Sequence, residues 1–295
     1  MNCNKPLYVG IDGGGTKCSA QLFNANREVI GHGISGPANA SRDLSQTLDS
    51  IVKSVHMALV DSQLSIDYMS QLKVAAGFAG ATIPSVKAQL LAWEHPFDCF
   101  KADSDLITTS FGAHGGRDGA LLIVGTGSSA ARFQSGVLTQ FGGHGFILGD
   151  KGSGAWLGRS AIASTLEALD GVTAITALHD RILTRLSVTT TTDLVQKMIL
   201  ATASQFASFA PDVIELANQE DIYALALVKE AADYLDKLCM STLQNTDLPL
   251  VLMGGLAPFF KPWFSPALRA RIVEAMAGPE RGALHLLHSD LPMTS

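Results

Sequence analysis

A group of residues suited to phosphate chemistry follows the first apolar segment of the chain. Residues 7–11 are apolar, and residues 12–17 then read Asp-Gly-Gly-Gly-Thr-Lys. Consecutive glycines allow a positive φ and bring backbone N–H groups close to an anion. The Asp12 carboxylate can order a magnesium ion through water, and the Thr16 hydroxyl can donate to a phosphate oxygen. Residues 12–17 therefore predict a phosphate-binding turn.

The residues after this turn distinguish it from two common nucleotide-binding loops. Residues 18–23 return as a largely apolar segment, so the pattern is strand, glycine turn, strand. A Walker loop and a dinucleotide fingerprint both place a helix after the glycines. If the motif stood alone, a hairpin turn without a ligand would explain it equally well.

A second copy of the pattern lies much later in the chain. Residues 120–124 are apolar, Gly125, Thr126, Gly127 and Ser128 form a turn, and residues 129–133 return. Repetition of a whole strand-turn-strand unit indicates internal duplication. The duplication favours a phosphate-binding role for both turns, with Thr16 and Ser128 as hydroxyl donors.

These motifs resemble those of the superfamily that contains actin, the sugar kinases and the heat-shock chaperones. That superfamily holds the β and γ phosphates of ATP between two facing hairpins. Four motifs in order are similar to the N-acetylglucosamine kinase branch of the BadF/BadG/BcrA/BcrD ATPase family, namely residues 12–17, 125–128 and 149–154 and the pair Gly254-Gly255. The resemblance implies an α/β fold with two duplicated ribonuclease-H-like (actin-like ATPase) domains and a cleft between them.

The resemblance also implies ligands and the residues that bind them. The implied cofactors are ATP and Mg²⁺, with Asp12 holding the metal through water, and the implied partner is a small-molecule amino sugar. The implied ATP-binding residues are Asp12, Gly13, Gly14, Gly15, Thr16, Lys17, Gly125, Thr126, Gly127, Ser128, Gly254 and Gly255. The implied sugar-binding residues are Asn39, Gly80, Asp105, Thr126 and Asp150.

One of these residues is the implied catalytic base. Phosphoryl transfer to a hydroxyl needs a carboxylate that accepts the proton. The family places this base before the helix that joins the domains, and the register counted back from Gly125 favours Asp105. Asp103 is the alternative, because relatives usually have Asp-Ala and small residues where this chain has two aspartates. Asp105 would also suit the first turn of a helix without any catalytic role.

Two residues of the glycine-rich loop depart from the family pattern. Lys151 stands where many relatives have an acidic residue, and His144 stands where several have Trp. The recognition of the sugar's C2 substituent is therefore open, and so is the choice between glucosamine and N-acetylglucosamine.

Periodicity and turn residues predict two consecutive domains, residues 1–115 and 116–295. The first has the order β-β-β-α-β-α-β-α, with a helix from Asp43 capped by Ser41 and strands at 72–78 and 97–102. The second restarts with the repeated hairpin and a third strand at 137–139. Helices over 156–169, through Phe209 and over 221–243 follow, and the last predicted strand is 248–253. Residues 280–287 are expected to pack back on the first domain.

Composition excludes several classes of protein. The chain has 295 residues, 47% hydrophobic and 16% charged, which is typical of a globular protein with room for two cores. A formal net charge of -6 argues against nucleic acid or an anionic membrane as partner. No apolar run has the length of a membrane span, which favours a cytoplasmic protein. A homodimer is left open.

Cysteine and histidine spacing gives no sign of a transition-metal site. Cys3, Cys18, Cys99 and Cys239 are scattered and form no C-x-x-C pair. The eight histidines show no ligand spacing either. The cysteine pattern therefore disfavours a zinc-dependent glucokinase.

Three functions remain in order of preference. The first is an ATP-dependent kinase acting on the 6-hydroxyl of glucosamine or N-acetylglucosamine. The second is a reductase-activating ATPase of the same branch, which would need paired cysteines for an iron–sulfur cluster. The third is a non-catalytic actin-like nucleotide switch, which would have no need for Asn39, Asp105 and Asp150 together.

Overall fold

The computed structural model describes residues 6–287 and has a mixed α/β architecture. The strands of these residues are β1 (Leu7–Gly13), β2 (Cys18–Phe23), β3 (Val29–Ser35), β4 (Leu72–Phe78), β5 (Cys99–Ser104), β6 (Gly119–Val124), β7 (Ser128–Gln134), β8 (Val137–Gly142), β9 (Leu250–Met253) and β10 (Ile272–Val273). The α-helices are α1 (Leu44–Asp61), α2 (Pro84–Leu91), α3 (Asp105–His114), α4 (Gly154–Leu169), α5 (Ala177–Leu186), α6 (Thr191–Met198), α7 (Ala203–Ala207), α8 (Ala210–Asn218), α9 (Ile222–Thr242), α10 (Ala257–Phe260), α11 (Pro266–Arg269) and α12 (Pro279–Ala283). Short 3₁₀ helices occupy Ile66–Gln71, Lys261–Trp263 and Leu284–Leu287.

The first sheet has the strand order β3-β2-β1-β4-β5. β1 pairs antiparallel with β2 and parallel with β4, and β4 pairs parallel with β5. A central strand of this kind is buried on both faces, which explains the apolar run of β4 and the complete burial of Val9 and Ile11 in β1. The parallel strands β1, β4 and β5 end at one edge, and the predicted site residues Asp12, Gly80 and Asp105 lie at or just after those ends.

The second sheet has the order β10-β9-β6-β7-β8. Read from β8, this is the order of the first sheet, with β6 and β9 in the positions of β1 and β4. β6 pairs parallel with β9, and β9 pairs parallel with β10. The structure therefore confirms the duplicated α/β fold. It adds β10, a strand of two residues that is too short to give a periodic signal.

The N-cap of helix α1 was predicted at the wrong residue. Its apolar stripe, which includes Ile51, Val55 and Leu59, is fully buried as expected. The N-cap, however, is Asp43, whose carboxylate accepts from Gln46 N at 2.9 Å. The predicted cap, Ser41, instead donates its hydroxyl to Asn39 Oδ1.

The described residues form two compact units, each with its own buried core. The first unit contains residues 6–119, Phe133–Leu138 and 274–287, and the second contains Ala120–Arg132 and Thr139–Val273. The grouping differs from the predicted division because the segment after Val273 packs with the first unit, as expected for residues 280–287. As independently folding domains, residues 1–115 and 116–295 remain a prediction.

Glycines explain how the C-terminal segment packs so closely against the first sheet. A Cβ on Gly10 of β1 would lie 1.8 Å from the Glu280 carbonyl oxygen, and one on Gly282 of α12 would lie 1.9 Å from the Thr108 carbonyl oxygen of α3. Met276 N also donates to Ala113 O at 3.0 Å. The close approach brings the start of α12 beside β1.

The helices offer no candidate for a membrane span. Within residues 6–287, none is both long enough and apolar enough to cross a bilayer.

Candidate functional site

The first glycine turn joins β1 to β2 and is closed by a hydrogen bond from Gly14 N to Lys17 O at 2.9 Å. None of its three glycines has a positive φ, so the predicted reason for the glycines is wrong. Gly13 is required by packing, because a Cβ there would lie 2.2 Å from the Phe78 ring. A Cβ on Gly14 would make only an ordinary contact at 3.7 Å, and one on Gly15 would meet nothing within 4 Å. The turn therefore leaves space beside its backbone.

The second glycine turn joins β6 to β7 and docks on the start of α4. Gly125 O accepts from Gly154 N at 2.8 Å, and Thr126 O accepts from Ala155 N at 3.2 Å. A Cβ on Gly125 would meet nothing within 4 Å, whereas one on Gly127 would lie 2.7 Å from the Asp150 carboxylate. This turn also combines one glycine that the fold needs with one that leaves space open.

The Ser128 hydroxyl has a partner inside the protein. It is buried and donates to Lys151 O at 2.9 Å. A hydroxyl has a single donor, so the predicted donation to a phosphate would require this bond to break. In the structure, Ser128 ties the second turn to the loop that carries Asp150.

The pair Gly254-Gly255 lies directly after β9 and beside the end of β6. Gly254 has φ +86°, and a Cβ there would lie 2.4 Å from Val124 O. A Cβ on Gly255 would meet nothing within 4 Å. The fold thus explains why residue 254 is a glycine, but it does not explain the glycine at residue 255.

Asp12 is the most perturbed carboxyl group of the first unit. Burial raises its pKa to about 6, the charges of Glu280 and Asp105 raise it further, and Lys17 acts in the opposite direction. Within residues 6–287, no hydrogen bond or ion pair reaches its carboxylate. A partly buried carboxylate with a raised pKa and no protein partner is suited to a cation that the protein itself does not supply.

The two candidates for the catalytic base have different surroundings. Asp103, at the end of β5, forms an ion pair with Lys87 at 2.8 Å and accepts from Ser104 N. Asp105 is the first residue of α3, and its Oδ1 accepts from Leu106 N at 3.0 Å. Burial raises the pKa of Asp105, and the backbone N–H groups of Leu106 and of Asp105 itself oppose this. Of the two, Asp105 forms no ion pair within residues 6–287, and it lies close enough to Asp12 to raise that group's pKa.

Glu280 was not anticipated from the sequence. It stands at the start of α12, and its charge is the largest electrostatic contribution to the raised pKa of Asp12. In the sequence, Gly278, Pro279 and Glu280 indicate the start of a short helix. They do not indicate that Glu280 lies near β1. The charges of Glu280 and Asp105 therefore both act on Asp12, and only that of Glu280 was unexpected.

Asn39 and Gly80 lie on two segments that are hydrogen-bonded to each other and to the first turn. Ala38 N donates to Gly14 O, Ala40 N donates to Ala79 O, and Ala79 N donates to Gly13 O. Asn39 Oδ1 accepts from the N–H groups of Ser41 and Arg42 and from the Ser41 hydroxyl. The structure thus brings Asn39 and Gly80 to the turn of Asp12. The side-chain oxygen of Asn39 already accepts hydrogen bonds, so its amide N–H₂ is the group that can bind a ligand as a donor.

Asp150 lies in the loop between β8 and α4 with φ +56°. Its Oδ1 accepts from Gly145 N at 3.2 Å. Burial raises its pKa, and the Gly145 N–H and the charge of His144 oppose this. Lys151, the departure noted in the sequence, forms an ion pair with Glu230 of α9 at 2.7 Å. The lysine is thus bound to α9 through Glu230, a partner that no local pattern indicates.

The residues present fit ATP and magnesium in type. Backbone N–H groups can approach phosphate only where no side chain fills the space beside them. Such open space lies beside four glycines, namely Gly14, Gly15, Gly125 and Gly255. Among the described residues no group of three or more His, Cys, Asp or Glu side chains is placed to hold a metal. A single carboxylate with waters and phosphate oxygens is the usual magnesium environment in nucleotide sites, and Asp12 suits it.

A sheet of five strands with a glycine turn after its first strand, present twice, defines the ribonuclease-H-like, actin-like class of nucleotide-binding folds. A solved structure from Chromobacterium violaceum, assigned as an N-acetylglucosamine kinase, has the same fold with a TM-score of 0.88 and 28% identity, covering 96% of this chain and 99% of its own. The chain belongs to the BadF/BadG/BcrA/BcrD ATPase family, whose sequence profile matches residues 9–275.

Two curated relatives are similar over most of their length. One is glucosamine kinase GspK from Vibrio cholerae, 30% identical over 277 residues, which are 94% of this chain and 94% of that protein. The other is an N-acetyl-D-glucosamine kinase from Dictyostelium discoideum, 25% identical over 275 residues, which are 85% of this chain and 86% of that protein. Both relatives are named as kinases of amino sugars.

Proposed function

We propose that the chain is an ATP-dependent kinase that phosphorylates the 6-hydroxyl of glucosamine or N-acetylglucosamine. The observation that carries this proposal is Asp105, a half-buried carboxylate with a raised pKa at the start of α3, near Asp12 and its glycine turn. A nucleotide switch needs the glycine turns but has no use for a carboxylate kept free of cations. The named relatives support an amino sugar as the acceptor.

The proposed roles follow from the surroundings of each residue. The backbone N–H groups of residues 13–17 and 125–128 contact the ATP phosphates, with the Thr16 hydroxyl and Lys17 beside them. Gly254 and Gly255 give room for the adenosine. Asp12 would hold Mg²⁺ through water, and the metal would supply neutralisation of the phosphate charge. These residues contribute positioning and charge compensation, which dominate catalysis of phosphoryl transfer.

The acceptor is proposed to be held by polar groups of four residues, namely Asn39, Gly80 through its backbone, Thr126 and Asp150. Carboxylate and amide groups bind sugar hydroxyls with defined direction. Asp105 accepts the proton of the 6-hydroxyl as the phosphoryl group is transferred.

An acceptor panel tests this function. Coupled ADP release is measured with Mg²⁺ and ATP in the presence of glucosamine, N-acetylglucosamine, glucose or N-acetylmannosamine, and the product of the best acceptor is identified by ³¹P and ¹³C NMR. The proposal expects ADP release that depends on an amino sugar and a phosphate on C6. Acceptor-independent ATP hydrolysis would instead favour a reductase-activating ATPase, and ATP binding without turnover would favour an actin-like switch.

A further inference from the structure

The carboxylate of Asp150 is oriented by a small closed turn made of residues 145–150. Gly145 forms three hydrogen bonds within this turn. Its N–H donates to Asp150 Oδ1 at 3.2 Å, and its carbonyl oxygen accepts from Leu148 N at 3.2 Å and from Gly149 N at 2.7 Å. Gly145 has φ +85°, and a Cβ there would meet nothing within 4 Å. Packing at Gly145 itself therefore does not hold the turn in place.

Within this turn Phe146 is the side chain that packs against the core. Its neighbours Ile147 and Leu148 are 84% and 86% exposed, and His144 and Gly145 are exposed as well. Phe146 is half-buried and packs on the hydrophobic core of the second unit. An apolar side chain in contact with the core between exposed neighbours is the natural attachment point of a loop.

Two residues hold the Phe146 ring from different helices. The ring of Phe206, from α7, lies 5.3 Å from it between centroids at an interplanar angle of 37°. The Arg159 guanidinium, from α4, lies 5.4 Å from the centre of the Phe146 ring. No described carboxylate is within 4 Å of Arg159, so an ion pair does not compete for it. The ring therefore makes an aromatic and a cation–π contact.

The other side of Asp150 is held separately. Ser153 N donates to Asp150 O, the Ser128 hydroxyl donates to Lys151 O, and Lys151 pairs with Glu230. These contacts fix the backbone after Asp150, but they do not reach Gly145, which binds the carboxylate. The orientation of the carboxylate thus depends on the attachment of the preceding turn.

We propose that Phe146 is a positioning residue, which fixes Gly145 and thereby the Asp150 carboxylate in the orientation needed to bind the acceptor sugar. The inference rests on the proposed sugar-binding role of Asp150. Removal of the ring releases residues 145–149, while the hydrogen bonds that close the first glycine turn and tie Gly125 and Thr126 to α4 stay in place. Acceptor binding suffers and ATP binding does not.

The direct test compares Phe146→Ala with the conservative variant Phe146→Tyr. We expect Phe146→Ala to raise the acceptor KM about tenfold or more, because misplacement of a binding group by about 1 Å carries a cost of this order. The KM for ATP and kcat at saturating acceptor should stay within a few-fold of wild type, and Phe146→Tyr should restore the acceptor KM. Arg159→Gln should raise the acceptor KM only a few-fold, because a single exposed cation–π contact is weak.

A matched control uses the same kind of contact elsewhere in the second unit. The Arg185 guanidinium lies 4.5 Å from the centre of the buried Phe209 ring, and neither residue forms a hydrogen bond to described residues 145–150. Phe209→Leu should lower Tm without raising the acceptor KM. An equal rise of the acceptor KM in Phe209→Leu would show that general destabilisation explains the effect, and the proposal would then be wrong.

Hydrogen exchange tests the structural step without any activity measurement. The amides of Gly145, Leu148 and Gly149 should exchange faster in Phe146→Ala, while those of α4 stay protected. Unchanged exchange of these three amides would overturn the proposal. If the wild-type protein phosphorylates no amino sugar, the proposed function fails, and the exchange experiment still decides whether Phe146 fixes the turn.

Discussion

Asp103 and Asp105 are separated by a single residue, yet their side chains have opposite electrostatic surroundings. Lys87 neutralises Asp103, whereas the partners of the Asp105 carboxylate among the described residues are backbone N–H groups, and its pKa is raised. A carboxyl group whose pKa is raised toward the working pH accepts a proton more readily than an ordinary one. This difference favours Asp105 over Asp103 as the proposed base.

We predict that Asp105→Asn lowers kcat by about 10²–10⁴-fold while ATP and sugar still bind, because the amide keeps the shape but cannot accept the proton. Single-turnover rates and calorimetric binding measure the two effects separately. The control, Asp103→Asn, should lower Tm by leaving Lys87 half-buried without its partner, with kcat within a few-fold of wild type. Loss of kcat in Asp103→Asn with full activity in Asp105→Asn would reverse the assignment.

Asp12 gives a prediction about stability in the absence of ligands. Its pKa is about 6 in the folded protein against an ordinary 3.8, so the folded state binds the proton more tightly than the unfolded state. The free energy of unfolding therefore falls as pH rises from about 4 to 6. Above pH 6 the loss of stability caused by the ionised Asp12 carboxylate is complete. With about 1.4 kcal/mol per pKa unit as an upper bound, we expect a cost of about 1–2 kcal/mol after relaxation of the site.

Asp12→Asn removes this cost. In EDTA without nucleotide, its Tm at pH 7.5 should exceed that of wild type by a few degrees, since about 1 kcal/mol corresponds to about 2–4 °C in a domain of this size. The gain should vanish near pH 4, where wild-type Asp12 approaches protonation in both states. A Tm difference that does not depend on pH would show that the charge of Asp12 is not its origin.

The sequence located most of these residues but not their electrostatic roles. The Gly-rich turns, Asp105 and Asp150 follow strands or lie in loops that local patterns reveal. Lys87 lies in α2 and Asp103 in β5, and Glu280 is near Asp12 only through the tertiary fold, so neither proximity has a local signal. Both glycine turns lie between strands as predicted, but the glycines of the first turn serve close packing and open space, not positive φ.

At the scale of elements, glycine governs the contact between α12 and α3. A Cβ on Gly282 would lie 1.9 Å from Thr108 O and 2.4 Å from Gly112 N, and these are backbone atoms that cannot turn aside. A Cβ on Gly112 would in turn lie 2.2 Å from Gly278 O. The two helices are therefore in contact through backbone.

We predict that Gly282→Ala destabilises the protein by about 1–3 kcal/mol, the usual cost of overpacking. Chemical denaturation monitored by circular dichroism measures the loss. Gly36→Ala is the matched control, since a Cβ there would make an ordinary contact of 3.6 Å with Ser50 Oγ. Equal stability of the two variants would contradict the backbone contact.

Element boundaries were predictable where the apolar pattern was long. Strand β4 was predicted at its observed residues, α9 within one residue at each end, and the start of α1 within one residue, because burial of a continuous stripe or run fixes them. The stretch up to Phe209 contains α5, α6, α7 and the residue before α8, and it was predicted only as a helical stretch. Short helices are defined by their caps, such as Thr190 and Thr202, and by tertiary packing more than by periodicity.

At the scale of the whole molecule, the chain starts in the first unit, forms most of the second unit and then returns to the first. The returning segment supplies α12, which packs on β1 and α3. The core of the first unit is therefore covered by residues distant in sequence. A boundary drawn from sequence order alone, such as residue 115, separates residues that pack together.

We predict that a chain truncated after Val273 loses the cooperative unfolding of the first unit but keeps the second. Limited proteolysis should cleave within residues 6–119 and spare Thr139–Val273. As a control, a permuted chain in which residues 274–287 are linked ahead of residue 6 should regain protection. Cooperative folding of residues 1–115 alone would contradict this prediction and support the simple two-domain division.

The return of the chain has a consequence for biosynthesis. Residues 6–119 leave the ribosome first, but the glycine-lined face of β1 and α3 stays uncovered until residues 274–287 have also been translated. The nascent first unit therefore remains incomplete, with apolar surface accessible, while the entire second unit is synthesised. Codon-dependent pauses after residue 119 should therefore increase the demand for chaperones, whereas pauses after residue 287 should not.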